Sequence, residues 1–167
     1  RYDTACNSVT HHVTASDISE ENAMVRVTGV LKGMPAYEVF RQVDKTSASD
    51  LNQYLHSKFN LPGYSIQEYK HTRQDEYAGF VLKEDIKMNV QNLLSNSGKL
   101  FFLNYDLLPL QQNGFELMAN RETPFFISSS FTIADTFEIT VPENIKPVAL
   151  PAEVAVHYPF GAYHRSI

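Results

Sequence analysis

Tryptophan is absent, and Cys6 is the only cysteine among 167 residues. A lone cysteine excludes an internal disulfide and any zinc site built from several thiolates, while leaving the redox compartment open. Long apolar runs are missing as well: none approaches the ~20 residues that a membrane helix needs. No hydrophobic stretch stands behind Arg1-Tyr2-Asp3-Thr4, so no signal peptide opens the sequence. Basic clusters are lacking too. Lys and Arg are scattered, the net charge is −5 and the pI lies near 5.6. Nothing forms a stripe that could neutralise phosphates, which makes nucleic acid and anionic membrane surface poor partners. No nucleophile elbow, Walker loop or dinucleotide fingerprint occurs, and Gly29, Gly33 and Gly63 stand alone. No repeat period and no low-complexity segment is found.

What is present is a well-mixed globular composition. Apolar residues make up 43% and charged residues 20%, too apolar for disorder. The aromatic share comes from 11 Phe and 9 Tyr, residue types that favour half-buried pleated surfaces. A chain of this size can bury roughly 70% of its unfolded surface and so build its own core.

Apolar periodicity organises the chain. In "SVTHHVTAS", residues 8–16, Val9, His11 and Val13 share one face and Thr10, His12 and Thr14 the other. "AMVRVTGVLKG" follows with Val25, Val27 and Leu31 on one face, and the acidic "SDISEEN" between them reads as the turn of an antiparallel pair. The period then becomes helical. Ala36, Val39, Phe40 and Val43 are spaced i, i+3, i+4, i+7, with Pro35 in the first turn. A second helix has Ser47 or Ser49 as its cap, Asp50 in its first turn, and Leu51, Tyr54, Leu55 and Phe59 as its stripe. "NLPG", residues 60–63, stops it.

From Tyr64 onward the pattern is strands. Phe80, Leu82, Ile86, Met88 and Val90 alternate in a long one, "SNSG" at 95–98 reads as a turn, and "KLFFLNY" returns as the hairpin partner. Residues 106–124 carry the weakest pattern and read as loop with a short strand. "FFISSSF" and "FTIADTFEITV" are strands, with Phe131, Ile133, Phe137, Ile139 and Val141 on one face. A turn at Pro142-Glu143-Asn144, a strand with Val154, Val156 and Tyr158, and a last strand in "GAYHRSI" complete the chain. The C-terminal strand is expected at an edge, or paired with another molecule, with Ile167 a cut or processing boundary.

The expected fold is therefore mainly β (α+β), an antiparallel β-sandwich with an inserted helical hairpin. Burial requires two sheets packed together or one sheet against the helix pair. Residues 1–167 read as a single mainly-β domain, with a possible sub-boundary near 110–123 and 124–167 as a β-sandwich portion.

Candidate chemistry is thin. His11 and His12 point to opposite faces and cannot chelate one ion, whereas His157 and His164 could meet across a hairpin. Cys6 would need a helix N-terminus or a cation to become reactive, and "DTACNSV" offers neither. Glu20-Glu21 and Asp75-Glu76 fall in expected turns. Glu84 interrupts the apolar face of the long strand and is expected to mark a bulge or an edge, with a site as the alternative. Ser128-Ser129-Ser130 reads as a polar strand end. No catalytic residue, metal ligand or cofactor site is assigned, and the chain is not expected to be an enzyme.

One segment carries a family resemblance. "RETPFFISSSFTIADTFEITVPENIKPVALPAEVAVHYPFGAYHRSI" resembles the C-terminal uncharacterised domain of bacterial transglutaminase-like proteins. In that family a Pro-plus-apolar strand leads to an alternating strand. A short turn and a "V-x-x-L-P" return follow, matched by Pro142-Glu143-Asn144 and by Val148-Ala149-Leu150-Pro151. "VTASDI" and "AYEVFRQV" are similar to the region after the papain-like core. The resemblance implies an exported protein, periplasmic or extracellular, whose Cys-His-Asp set belongs to a central core. No catalytic residue carries over, and Cys6 does not match the nucleophile's context. A non-catalytic accessory domain packing on a neighbouring transglutaminase-like domain is the implied role. A glycan- or peptide-binding module, suggested by the supply of tyrosine, is the alternative.

Overall fold

The computed structural model describes residues 6–59, 61, 63–77, 79–105, 107–108, 130–159 and 161–167. Strand accounts for 53% and helix for 15% of the described residues, so the mainly-β class with a helix pair holds. The elements are β1 (Ser8–Ser16), β2 (Asn22–Lys32), α1 (Met34–Val43), α2 (Ala48–Ser57), β3 (Tyr64–Glu76), β4 (Gly79–Gln91), β5 (Leu94–Ser97), β6 (Leu100–Leu103), β7 (Thr132–Ile139), β8 (Val154–Tyr158) and β9 (Gly161–Arg165).

Five strands form one sheet in the order β3-β4-β2-β1-β7, and β5-β6 and β8-β9 form two-stranded sheets. All pairs are antiparallel except β1 with β7, which is parallel. A parallel pair needs a long crossover rather than a tight turn, and β2 to β6 lie between these two strands in the chain. The expected all-antiparallel arrangement is thus broken at one seam.

Alternation decides which face is buried. Val13-Val27-Ile86 and Ala15-Val25-Met88 run as ladders across β1, β2 and β4, and all six side chains are buried. Their core also takes in Leu55 and Phe59 at the end of α2, Leu93 and Leu94, and Leu107 and Leu108. The helix pair, joined by residues around the small β5-β6 sheet, therefore covers this face. At the other end of the strands Val9, Leu31 and Leu82 pack with Ala36, Val39 and Phe40 of α1. Both helices match their expected stripes, and Ser47 is the cap of α2, its side chain accepting from the Asp50 amide.

Three local expectations are corrected. Ser95, Asn96 and Ser97 are strand, because the hairpin turns at Gly98-Lys99, where Gly98 has φ 68. Among the described residues β6 pairs with β5 and not with the long strand. Asp75-Glu76 is the end of β3, paired to Phe80 and Gly79. The sub-boundary at 110–123 and most of "FFISSSF" lie outside the described residues. β9 has β8 as its one described neighbour. Among the described residues no helix is long and apolar enough to cross a membrane.

Candidate functional site: a polar row across the buried face

Directly opposed residues of neighbouring strands project from the same face of a sheet. On the helix-covered face one cross-strand row reads His71, Glu84, Gly29, His11 and Asp135, one residue from each of the five strands. Apolar rows flank it on both sides: Val13-Val27-Ile86 on one, Val9-Leu31-Leu82 on the other. The row thus divides the core into its two apolar clusters.

Glu84, second in this row, is 3% exposed. A buried carboxylate is tolerated only where its oxygens find partners. Tyr69 of β3 donates its hydroxyl to Oε1 at 2.9 Å. Lys58, at the C-terminal cap of α2, donates Nζ to Oε2. The same ammonium lies 3.5 Å from the Tyr54 hydroxyl and 5.7 Å from the centre of its ring. Burial, and then the Glu84 charge, push the Tyr54 and Tyr69 phenols well above the ordinary tyrosine range. Both therefore remain protonated, Tyr69 donating to Glu84 while the Tyr54 hydroxyl accepts from Lys58. Glu84 is neither at an edge nor in a bulge: β4 lies between β3 and β2, and the bulge sits opposite, at Ile66/Glu68 of β3. The acid interrupts the stripe because an ion pair to α2 replaces an apolar contact there.

Gly29 makes the middle of the row possible. A Cβ at this position would lie 3.2 Å from the His11 ring and 3.7 Å from the Glu84 Cβ. Beyond it, His11 Nδ1 lies 2.8 Å from Asp135 Oδ1. On the opposite face His12 Nε2 lies 3.4 Å from Glu138 Oε2. Both histidines thus reach across the parallel seam to β7, one on each side of the sheet.

Asn7 is a junction that the sequence pattern missed. Its Oδ1 accepts from the Met34 amide at 2.9 Å, its Nδ2 donates to the Ser130 carbonyl at 3.2 Å, and its own carbonyl accepts from the Thr132 amide at 2.9 Å. One side chain therefore caps α1, whose own cap position, Gly33, has none to offer. Gly33 sits at φ 66 with Asn7 Oδ1 and the Cys6 carbonyl both 2.2 Å from where a Cβ would stand. Cys6 itself is exposed. The fold brings it beside the start of α1, a helix terminus that its flanking sequence does not reveal.

The remaining candidates are dispersed. His157 and His164 share one face of β8-β9 as diagonal neighbours, and His56 stacks near Tyr64 with ring centres 5.0 Å apart. Among the described residues no three His, Cys, Asp or Glu side chains gather as a metal-ligand set. On the solvent face Arg26 forks onto Asp85 at 2.8 and 2.7 Å, holding its carboxyl below the usual range. Lys70 and Lys87 do the same for Glu68. Tyr54, Tyr64 and Tyr69 pack on the core, while Tyr37, Tyr77, Tyr105, Tyr158 and Tyr163 are exposed.

Fold and site together define a mainly-β domain whose buried polar groups bind one element to another. Residues 99–167 match the model of a family described as a domain of unknown function with a solved structure, DUF3858. No curated protein and no solved structure matches the chain. The matched segment begins inside the β5-β6 turn, and its strand β7 pairs with β1, outside the match.

Proposed function

We propose that the chain is a non-catalytic accessory β domain of an exported, periplasmic or extracellular, bacterial transglutaminase-like protein, where it packs on the neighbouring papain-like domain. The observation that carries the non-catalytic reading is the saturation of Glu84 by Lys58 and Tyr69. Among the described residues the best-buried acid has each oxygen tied to a partner that holds α2 or β3 in place, a structural use rather than a catalytic one. His11 and Asn7 are likewise spent on ties to β7 and α1. The transglutaminase-like context rests on the sequence resemblance, whose segment overlaps the match of residues 99–167 to a domain of unknown function. Reading the parent gene tests it. A papain-like core encoded beside this segment is expected, and a parent without one ends the proposal.

One observation favours a second reading, a glycan- or peptide-binding module. Tyr158 and Tyr163 stand on the same face of β8-β9, Tyr163 opposite Val156, and both are exposed. Aromatic rings offer large, rigid apolar contact area with a polar tip. A glycan array is the direct measurement: retained sugars lost on Tyr163→Ala support binding, and a blank array removes it.

A further inference from the structure

The two edges of the five-stranded sheet are fastened very differently. At one edge, β3 lays Tyr64, Ile66 and Tyr69 against the larger apolar cluster and ties Tyr69 to Glu84. At the other, β7 has β1 as its one neighbour among the described residues. Residues 132–138 of β7 are all exposed, and Ile139 alone is half-buried. Ile133 and Phe137 lie in register with the buried Val9 and Val13, yet both stay exposed. Ile139 is the one β7 side chain that packs on the larger cluster, and none packs on the smaller. Val9, Val13 and Ala15 of β1 share those clusters with side chains of β2, β4 and the two helices. Removing β7 would therefore leave the core nearly whole.

What holds β7 is its backbone ladder and one shielded side-chain contact. The ladder continues at both ends, where the Thr132 amide donates to the Asn7 carbonyl and the Thr140 amide to the Ala15 carbonyl, each at 2.9 Å. His11 Nδ1 lies 2.8 Å from Asp135 Oδ1, with side chains 11% and 27% exposed. The contact of His12 with Glu138 is longer, 3.4 Å, and its side chains are 49% and 70% exposed, so water competes for it.

We propose that β7 is a detachable strap. It leaves and rejoins β1 while the other four strands and both helices stay folded, and the contact between His11 and Asp135 is its latch. An element with little buried surface opens at lower cost than the fold around it. Its departure bares the backbone donors and acceptors along the outer edge of β1, where an extended segment can pair. The inference goes beyond the accessory-domain reading and does not depend on it.

The test is native-state amide exchange of the full chain, followed by ¹⁵N–¹H spectra at rising, sub-denaturing urea. The hydrogen-bonded amides of β7 are expected to exchange about a hundredfold or more faster than those of β2 and β4. Their urea dependence should also be weaker, since releasing a strap exposes little surface. Asp135→Ala should speed β7 exchange about two- to tenfold and leave β2 and β4 unchanged. Glu138→Ala should alter β7 by no more than about twofold. Equal rates and urea slopes in β7, β2 and β4 of the parent chain would overturn the strap without any variant. The latch is overturned if Asp135→Ala leaves β7 unchanged or speeds all three strands alike, or if Glu138→Ala matches it.

Discussion

Replacing Lys58 by Met is the sharpest perturbation of this fold. Met keeps the unbranched length of the lysine stem but removes the ammonium, leaving Glu84 with Tyr69 as its remaining partner. The Glu84 side chain is 1% exposed and that of Lys58 14%, so water cannot take over the lost contact. Breaking a buried ion pair from one side costs about 3–5 kcal/mol. For a chain of this size that lowers the melting temperature by about 6–20 °C. The loss should depend on pH with a definite sign. A carboxylate buried without its cation prefers the neutral form, so in the variant the folded state holds a proton that the unfolded chain gives up. Its stability then falls as pH rises above the ordinary carboxylate range, and the gap between variant and parent widens from pH 5 to pH 8. Adding Glu84→Leu removes the stranded charge at the cost of the Tyr69 hydrogen bond, so the double variant should be more stable than Lys58→Met alone. Urea unfolding followed by circular dichroism at the two pH values measures all three quantities. A loss under about 1 kcal/mol, equal at both pH values, would refute the claim that this pair is a buried tie.

Other outcomes follow from single contacts. Gly29→Ala should destabilise by about 1 kcal/mol or more, although replacing a strand glycine usually helps by ~0.5–1 kcal/mol, because the new Cβ crowds the His11 ring; thermal melts decide the sign. Asn7→Ala should cost about 1–2 kcal/mol and Asn7→Asp less, since the aspartate keeps the cap on α1; hydrogen exchange at Met34 and Thr132 reports where the loss falls. Asp85 has its folded pKa held down by Arg26, so its contribution is present above the ordinary aspartate range and disappears as pH falls through the lowered value. In Arg26→Ala the acid-unfolding midpoint should therefore move to higher pH, and an unmoved midpoint would rule this linkage out.

Local chemistry was legible and long-range pairing was not. β1 matches its alternating segment end to end, and α1 spans the expected Met34–Val43, because a period of two or of 3.6 is written into adjacent residues. Ser47 was one of two readable caps for the same reason. Glu84 was visible as an interruption, yet its explanation lay 26 residues away in Lys58, a separation that no local period encodes. The cap on α1 comes from Asn7, 27 residues upstream, and the β7 strand showed its faces without showing its neighbour. Faces are a property of one strand, whereas partners depend on where the connection returns. Ser95, Asn96 and Ser97 looked like a turn because small polar residues favour turns, but pairing with β6 outweighed that preference.

The parallel seam between β1 and β7 also has a consequence in time. Its side-chain tie joins residues 124 positions apart, whereas β1 to β4, with both helices, lie within Ser8–Gln91. Chain-closure entropy makes such distant contacts late ones. As the chain leaves the ribosome, the first four strands can assemble while the flank of β1 still waits for its neighbour. Pulse-labelling exchange during refolding should find the amides of β2 and β4 protected before those of Thr132 to Ile139. Until that last strand arrives, the nascent sheet carries a sticky border, and the interval is when this protein is most open to capture by a chaperone or by another unfinished copy of itself.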